Sequence, residues 1–301
     1  MEWQPGGDSS DVEDRRDDSG GGGGGGGFQM GGGGGIGIVG VLVLVVVSVV
    51  TGRNYLGAFL GGGGSAPTQQ VQPIQQAGPP QAHTAAEDRD KQLTVFTLND
   101  VQKTWAGIFQ DEGRTYRHAK LVIYRGQTSA GCGGVAQAST GPFYCPEDQK
   151  VYIDLNFWDE LRRFGGSTAD FAQAYVIAHE LGHHVQYLLG TEAKVQRLEQ
   201  QEPGARNHLS VDVELQADCY GGVWANSAQK RGVVDPGDVD AALSAVAAVG
   251  DDHLEKMSGR AVNPESWTHG SSAQRQMWFK KGFESGDMGS CNTFGGIQNK
   301  Q

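Results

Sequence analysis

Positive charge is scarce in this chain: 24 lysines and arginines stand against 35 aspartates and glutamates in 301 residues, a net charge of −11. That balance leaves no basic footprint for nucleic acid and bears on solubility rather than on a partner. Cysteine is scarce too. None of the four, Cys132, Cys145, Cys219 and Cys291, falls in a Cys-x-x-Cys spacing, which argues against a cysteine-rich metal site. An even number suits an oxidising compartment, and Cys132 and Cys145 flank a predicted hairpin as a candidate disulfide. No basic stretch precedes the one long apolar run, which argues against a cleaved signal peptide.

What is abundant is glycine, in runs at Gly20–Gly27 and Gly31–Gly35. Residues 1–35, acidic and then glycine-rich, read as a disordered tail. Residues 36–60 follow, beginning with an uncharged Ile/Val/Leu/Gly stretch to Thr51 and extended by Tyr55–Leu60. A strand there would have nothing to pair with between glycine tracts, so the segment reads as a single membrane anchor with Arg53 snorkelling. Residues 61–92, rich in Gly, Gln, Pro and Ala, read as a flexible tether. That leaves 93–301 as one domain with room for a sizeable core. The basic residues on either side of the anchor do not fix its orientation. The cysteines favour placing that domain on the periplasmic or extracellular side of the membrane.

Within that domain, Thr97 with Asp100 is expected to start a helix, and Leu121–Tyr124 and Val151–Asp154 read as strands. Further helices are expected over Phe157–Phe164, near Asp238–Gly250 and over Ser272–Gly282. A small sheet on one side of several helices is an α+β arrangement.

The chemistry concentrates in His179-Glu180-Leu181-Gly182-His183. Histidines at i and i+4 share a helix face and can reach one metal. Glu180, about 100° round the helix, is placed to activate a zinc-bound water as general base. Ser167 with Asp170 resembles a capping box, Gly190 fits the C-terminal end, and Phe171, Ala174, Tyr175, Ala178 and Gly182 mark a buried face. Gly182, costly in mid-helix, implies a second backbone passing close by. Histidines and a glutamate on such a face are expensive to bury unless paired or coordinated.

A third ligand is expected downstream. Glu214 and Asp218, also i and i+4, sit among Val213, Leu215, Ala217 and Tyr220 in a helix read from Leu209 to Lys230. The division of labour assigned is Glu214 on the zinc, with Asp218 behind it accepting the free N–H of a ligating histidine. Other layouts fail: one needs glycine at position 186 and histidine at 189, where Gln186 and Leu189 stand. Another needs aspartate where Lys194 follows Gly190-Thr191. His184 reads as a packing or hydrogen-bonding residue, and His208 and His253 as weaker metal candidates.

His179-Glu180-x-x-His183 followed by Glu214-x-x-Ala217-Asp218 resembles the gluzincin pattern of the CaaX-prenyl-protease and HtpX-like membrane peptidases. More closely, the chain resembles the bacterial YpfJ-type family of neutral zinc metallopeptidases. The resemblance is carried by Val12–Arg16, Cys132-Gly133, Gly141–Pro146, Val151–Leu155, the two motif helices, Thr268-His269-Gly270 and Gln274-Arg275. It implies a zincin-like domain holding one Zn2+ per chain and acting on polypeptides. It also implies His269 as an oxyanion donor, with Arg275 anchoring it or pairing with a buried carboxylate. The segment around Cys132–Cys145 would supply a sheet edge for substrate.

The reading adopted is thus a membrane-anchored zinc metallopeptidase. Its rival is a catalytically inactive zincin-fold zinc-binding or adaptor protein, and Glu180 discriminates, because a dead relative often lacks that carboxylate. Hydrolysis of a non-peptide amide would use the same metal chemistry.

Overall fold

The computed structural model describes residues 1–5, 9–18, 83–133, 135–137, 141–235 and 237–295. Its strands are β1 (Val12–Arg15), β2 (Lys120–Tyr124), β3 (Gln127–Ser129), β4 (Val135–Gln137), β5 (Phe143–Cys145) and β6 (Lys150–Asp154). Its helices are α1 (Ala85–Asp111), α2 (Phe157–Arg163), α3 (Asp170–Leu189), α4 (Thr191–Gln201), α5 (Arg206–Lys230), α6 (Asp238–Ala248), α7 (Asp251–Met257) and α8 (Ser272–Ser285). Four strands form one sheet in the order β1-β2-β6-β5, parallel except for β5, and β3 pairs with β4 in a separate hairpin. The class is α+β, as expected.

The apolar runs of β2 and β6 are buried on both faces, as parallel strands require. Leu121, Ile123, Val151 and Ile153 turn towards the helices and join the main core, while Val122, Tyr124, Tyr152 and Cys145 form a second cluster on the opposite face with Ala136 of the hairpin. A Cys132–Cys145 disulfide ties that hairpin region to the edge strand β5. A second disulfide, Cys219–Cys291, ties α5 to the C-terminal segment.

The histidine helix α3 lies in the middle, packed against α1, α5 and α6. At Gly182 the backbone of α5 does pass close: a Cβ there would sit 3.0 Å from the Ala217 carbonyl oxygen. Helices α5 and α8 meet more tightly still. A Cβ on Gly222 would collide with the Phe279 carbonyl, and one on Gly282 with that of Cys219.

Several boundaries differ from expectation. Helix α1 begins twelve residues before Thr97, because Thr84 and Glu87 form a reciprocal capping box; Thr97 is buried mid-helix with its hydroxyl on the Leu93 carbonyl at 2.8 Å. Residues 85–92 therefore belong to the domain, not to a tether. Helix α3 starts at Asp170 without a side-chain cap. Ser167 Oγ instead accepts from the Ala169 N–H, and Asp170 accepts from Trp3 Nε1 and Arg89. Gly190 takes the left-handed conformation that ends the helix, as its position suggested. Helices α4 and α7 and strand β1 had no counterpart in the expectation.

The largest correction concerns the N-terminus. Residues 1–5 and 9–18, read from sequence as part of a disordered tail, are built into the domain. β1 lies parallel to β2, Arg16 bridges Asp14 and Asp88, and Lys150 reaches Glu13 at 2.7 Å. The anchor read over 36–60 lies outside the described residues, but its flanks do not: Asp17 and His83 are in contact at 2.9 Å. A single crossing between them would leave β1 and β2 on opposite faces of a membrane. Among the described residues no helix is long and apolar enough to cross a membrane.

Candidate metal centre

Three side chains converge between α3 and α5. His179 Nε2 lies 3.2 Å from Glu214 Oε2, and His183 Nε2 lies 3.6 Å from Glu214 Oε1. All three groups offer donor atoms within 4.8 Å of one another, and the two rings meet edge to face. Donors round a tetrahedral zinc with bonds of ~2.0–2.1 Å are roughly 3.3 Å apart. The spacing fits.

The tautomers fit as well. Gln186 Nε2 donates to the Val213 carbonyl and to Gln216 Oε1, so its own Oε1 must accept from His183 Nδ1–H, at 2.9 Å. His183 Nε2 is then left with a lone pair facing the Glu214 carboxylate. Across His179, Asp218 Oδ1 stands 2.8 Å from Nδ1, out of line with the ring N–H, so the pair is a charge contact rather than a hydrogen bond. It still favours a proton on Nδ1 and leaves Nε2 facing Glu214. Two lone pairs against a carboxylate need a cation between them. A proton can serve on His179: burial alone would lower its pKa, but Asp218 and Glu214 outweigh that and raise it to about 10. Burial likewise opposes ionisation of Glu214, yet His183, His179 and His269 hold its carboxyl well below the usual range.

Asp218 is fully buried behind His179. It accepts from Arg275 Nε and Nη2, each at 2.8 Å, and from the Tyr175 hydroxyl. Arg275, in the first turn of α8, thus pairs with a carboxylate and does not anchor His269. Burial disfavours the charged Asp218, but Arg275 and His179 bring its pKa down to about 2. His269 lies close enough to Glu214 to lower that residue's pKa. Asp251 holds His269 in place: Oδ2 accepts the backbone N–H of Thr268, His269 and Gly270, and Oδ1 is 3.3 Å from the ring Nδ1. Glu180 stays outside the converging trio and is buried; burial pushes its pKa up, with His179 and His183 pulling the other way.

The other histidines lie elsewhere. His184 donates from Nε2 to the Arg117 carbonyl and accepts from the Tyr144 hydroxyl, and burial lowers its pKa to about 4. His253 donates to the Phe164 carbonyl, and His208 is exposed beside Glu265. Sequence reasoning missed Asp251, Tyr175 and the Gln186–Gln216 pair. Gln186, three residues after His183, and Tyr175, four before His179, carried a local signal on the same helix, whereas Asp251 and Gln216 carried none.

The chain has relatives. The chain belongs to the family described as "Putative neutral zinc metallopeptidase", whose family model matches residues 1–294. It is 47% identical to the protein YpfJ of Escherichia coli strain K12 over 296 residues, covering 98% of this chain and 99% of that protein. It is also 44% identical over 211 residues to the protein Mb2605 of Mycobacterium bovis, 66% of this chain and 69% of that protein. No solved structure matches the chain.

Proposed function

We propose that the chain is a zinc-dependent peptidase in which His179, His183 and Glu214 hold one Zn2+ and Glu180 acts as the general base. The observation that carries this reading is the convergence of two imidazole nitrogens and one carboxylate at tetrahedral spacing, with a fourth side free of protein ligands among the described residues. Zinc held there supplies a Lewis acid that polarises a carbonyl and lowers the pKa of water towards ~7.

The chain's own groups do the rest. Glu180, one residue from His179 on α3, takes a proton from the attacking water and passes it to the leaving amine. His269, steadied by Asp251, donates to the oxygen that gains charge in the tetrahedral intermediate. Asp218 and Arg275 fix the His179 ring. Strand β5, whose outer edge pairs with no other described strand, receives the substrate backbone as an added strand. Retention of Glu180 favours turnover over an inactive zinc-binding or adaptor role.

For placement, we propose that residues 1–18 and 83–295 share one side of any membrane the chain contacts, and that this side is oxidising. The β1–β2 pairing supports the first part, and the two disulfides support the second.

The test of the activity is a peptide-library digest with zinc-loaded protein. Wild type should cleave, and Glu180→Gln should retain zinc while turnover falls at least ~100-fold, the lower end of what a positioned general base contributes. Equal cleavage by both would refute the assignment of the base. Absence of any cleavage by a zinc-loaded wild type would favour the adaptor reading.

A further inference from the structure

A pocket of about 50 Å3 opens directly beside His183 and Glu214, walled on one side by Tyr144 of the edge strand β5. Several of its polar side chains are already committed to the protein. The Tyr144 hydroxyl donates to His184 Nδ1 at 2.9 Å, and the Ser210 hydroxyl donates to the Thr268 carbonyl at 2.8 Å. Both ends of the Gln186 amide are taken by His183, Val213 and Gln216. What remains for a ligand is carbon, chiefly Val195 on α4, Val213 on α5 and the tyrosine rings. A hydrogen-bonding group entering here would lose its water and find few partners in return.

Size narrows the occupant. At roughly 10–15 Å3 for each water-sized sphere, the pocket takes about four non-hydrogen atoms. That is the size of an isobutyl group. Charge narrows it further. Glu192 lines the pocket, and Glu147 is near enough to oppose its ionisation, so an acidic side chain would meet carboxylates.

We propose that this pocket is the specificity site of the peptidase, receiving the aliphatic side chain, of leucine or valine size, of the residue adjoining the scissile bond. The proposal rests on the peptidase reading above. The substrate strand added along β5 passes Tyr144 on its way to the metal centre, so the side chain entering the pocket belongs to a residue next to the bond being cut. Val195 and Val213 set the depth.

The test uses the full-length, zinc-loaded chain in detergent and two readouts. Peptide-library cleavage sites, mapped by mass spectrometry, should concentrate beside leucine, methionine and valine and avoid aspartate and glutamate. Calorimetry with peptidyl hydroxamates should show an isobutyl side chain binding at least tenfold tighter than methyl, the scale at which an apolar pocket discriminates by size. Val195→Phe and Val213→Phe, made separately in case one fails to fold, should each erase that preference while leaving the methyl hydroxamate bound. Cleavage without side-chain preference, or a preference unchanged in a folded variant, would overturn the proposal. The isobutyl preference in a zinc-loaded protein that cuts no peptide would leave the pocket standing and refute the peptidase reading instead.

Discussion

Asp218→Asn is the substitution that reads the design of this centre most sharply. The side chain keeps its shape but loses the charge that faces Arg275, Tyr175 and His179 together. Arg275 is only 3% exposed, so its guanidinium would be left without its counter-ion inside the protein. Breaking a buried pair in this way costs about 3–5 kcal/mol. For a domain of this size that corresponds to a Tm lower by roughly 6–20 °C. Replacing both partners, Asp218→Leu with Arg275→Met, removes the orphaned charge. Most of the stability should return, short by about 1–3 kcal/mol because the Tyr175 hydroxyl loses its acceptor. Zinc affinity should behave differently, falling about 10–100-fold in both variants since His179 has lost the group behind it. Urea titration of the metal-free protein and a competitive chelator titration separate the two effects. If the single variant were as stable as wild type and bound zinc equally well, the account of Asp218 would be wrong.

Three further outcomes follow from other parts of the fold. Removing the Cys219–Cys291 bridge, which spans 72 residues, should cost about 4 kcal/mol on chain-entropy grounds; thermal melts of the double alanine variant check this, and an unchanged Tm would contradict it. Burial raises the pKa of Asp14, but Arg16 and Lys91 outweigh it and hold the carboxyl far below its usual value, so its folded pKa is below its unfolded one. Its stabilisation is therefore full above about pH 4–5 and fades as pH falls further; the stability gap between wild type and Asp14→Asn should shrink on acidification, and a gap independent of pH would refute the pairing. Impermeant labelling of single cysteines placed at Glu2 and at Lys280, in a background lacking the native cysteines, should give the same sidedness at both, whereas opposite sidedness would show that β1 does not pair with β2.

The centre was more legible in the sequence than the fold around it. The i, i+4 spacing of His179 with His183 and of Glu214 with Asp218 is a local property of a helix, and Gly182 announced the helix that crosses it. Arg275 was readable as a partner for a buried carboxylate, but the choice of Asp218 over His269 is a matter of where α8 docks, which no local pattern encodes. Asp251 was invisible for the same reason: its role is to gather three backbone N–H groups from a loop 17 to 19 residues away. The N-terminus misled because Val12–Arg15 is short, charged and followed by glycine runs. It becomes a strand through long-range partners, namely β2 beside it and Lys150 and Asp88 at its side chains. Helix α1 misled because its first turns are polar, and the apolar pattern that marks a helix begins only at Leu93.

The central claim is tested most directly by the zinc content of the purified chain. Elemental analysis should find about one zinc per wild-type chain and essentially none when His179 and His183 are both replaced by alanine, with X-ray absorption of the wild-type protein showing only nitrogen and oxygen neighbours at ~2.0–2.2 Å. Equal zinc in wild type and the double variant, or sulfur in the coordination shell, would place the metal elsewhere and contradict the account.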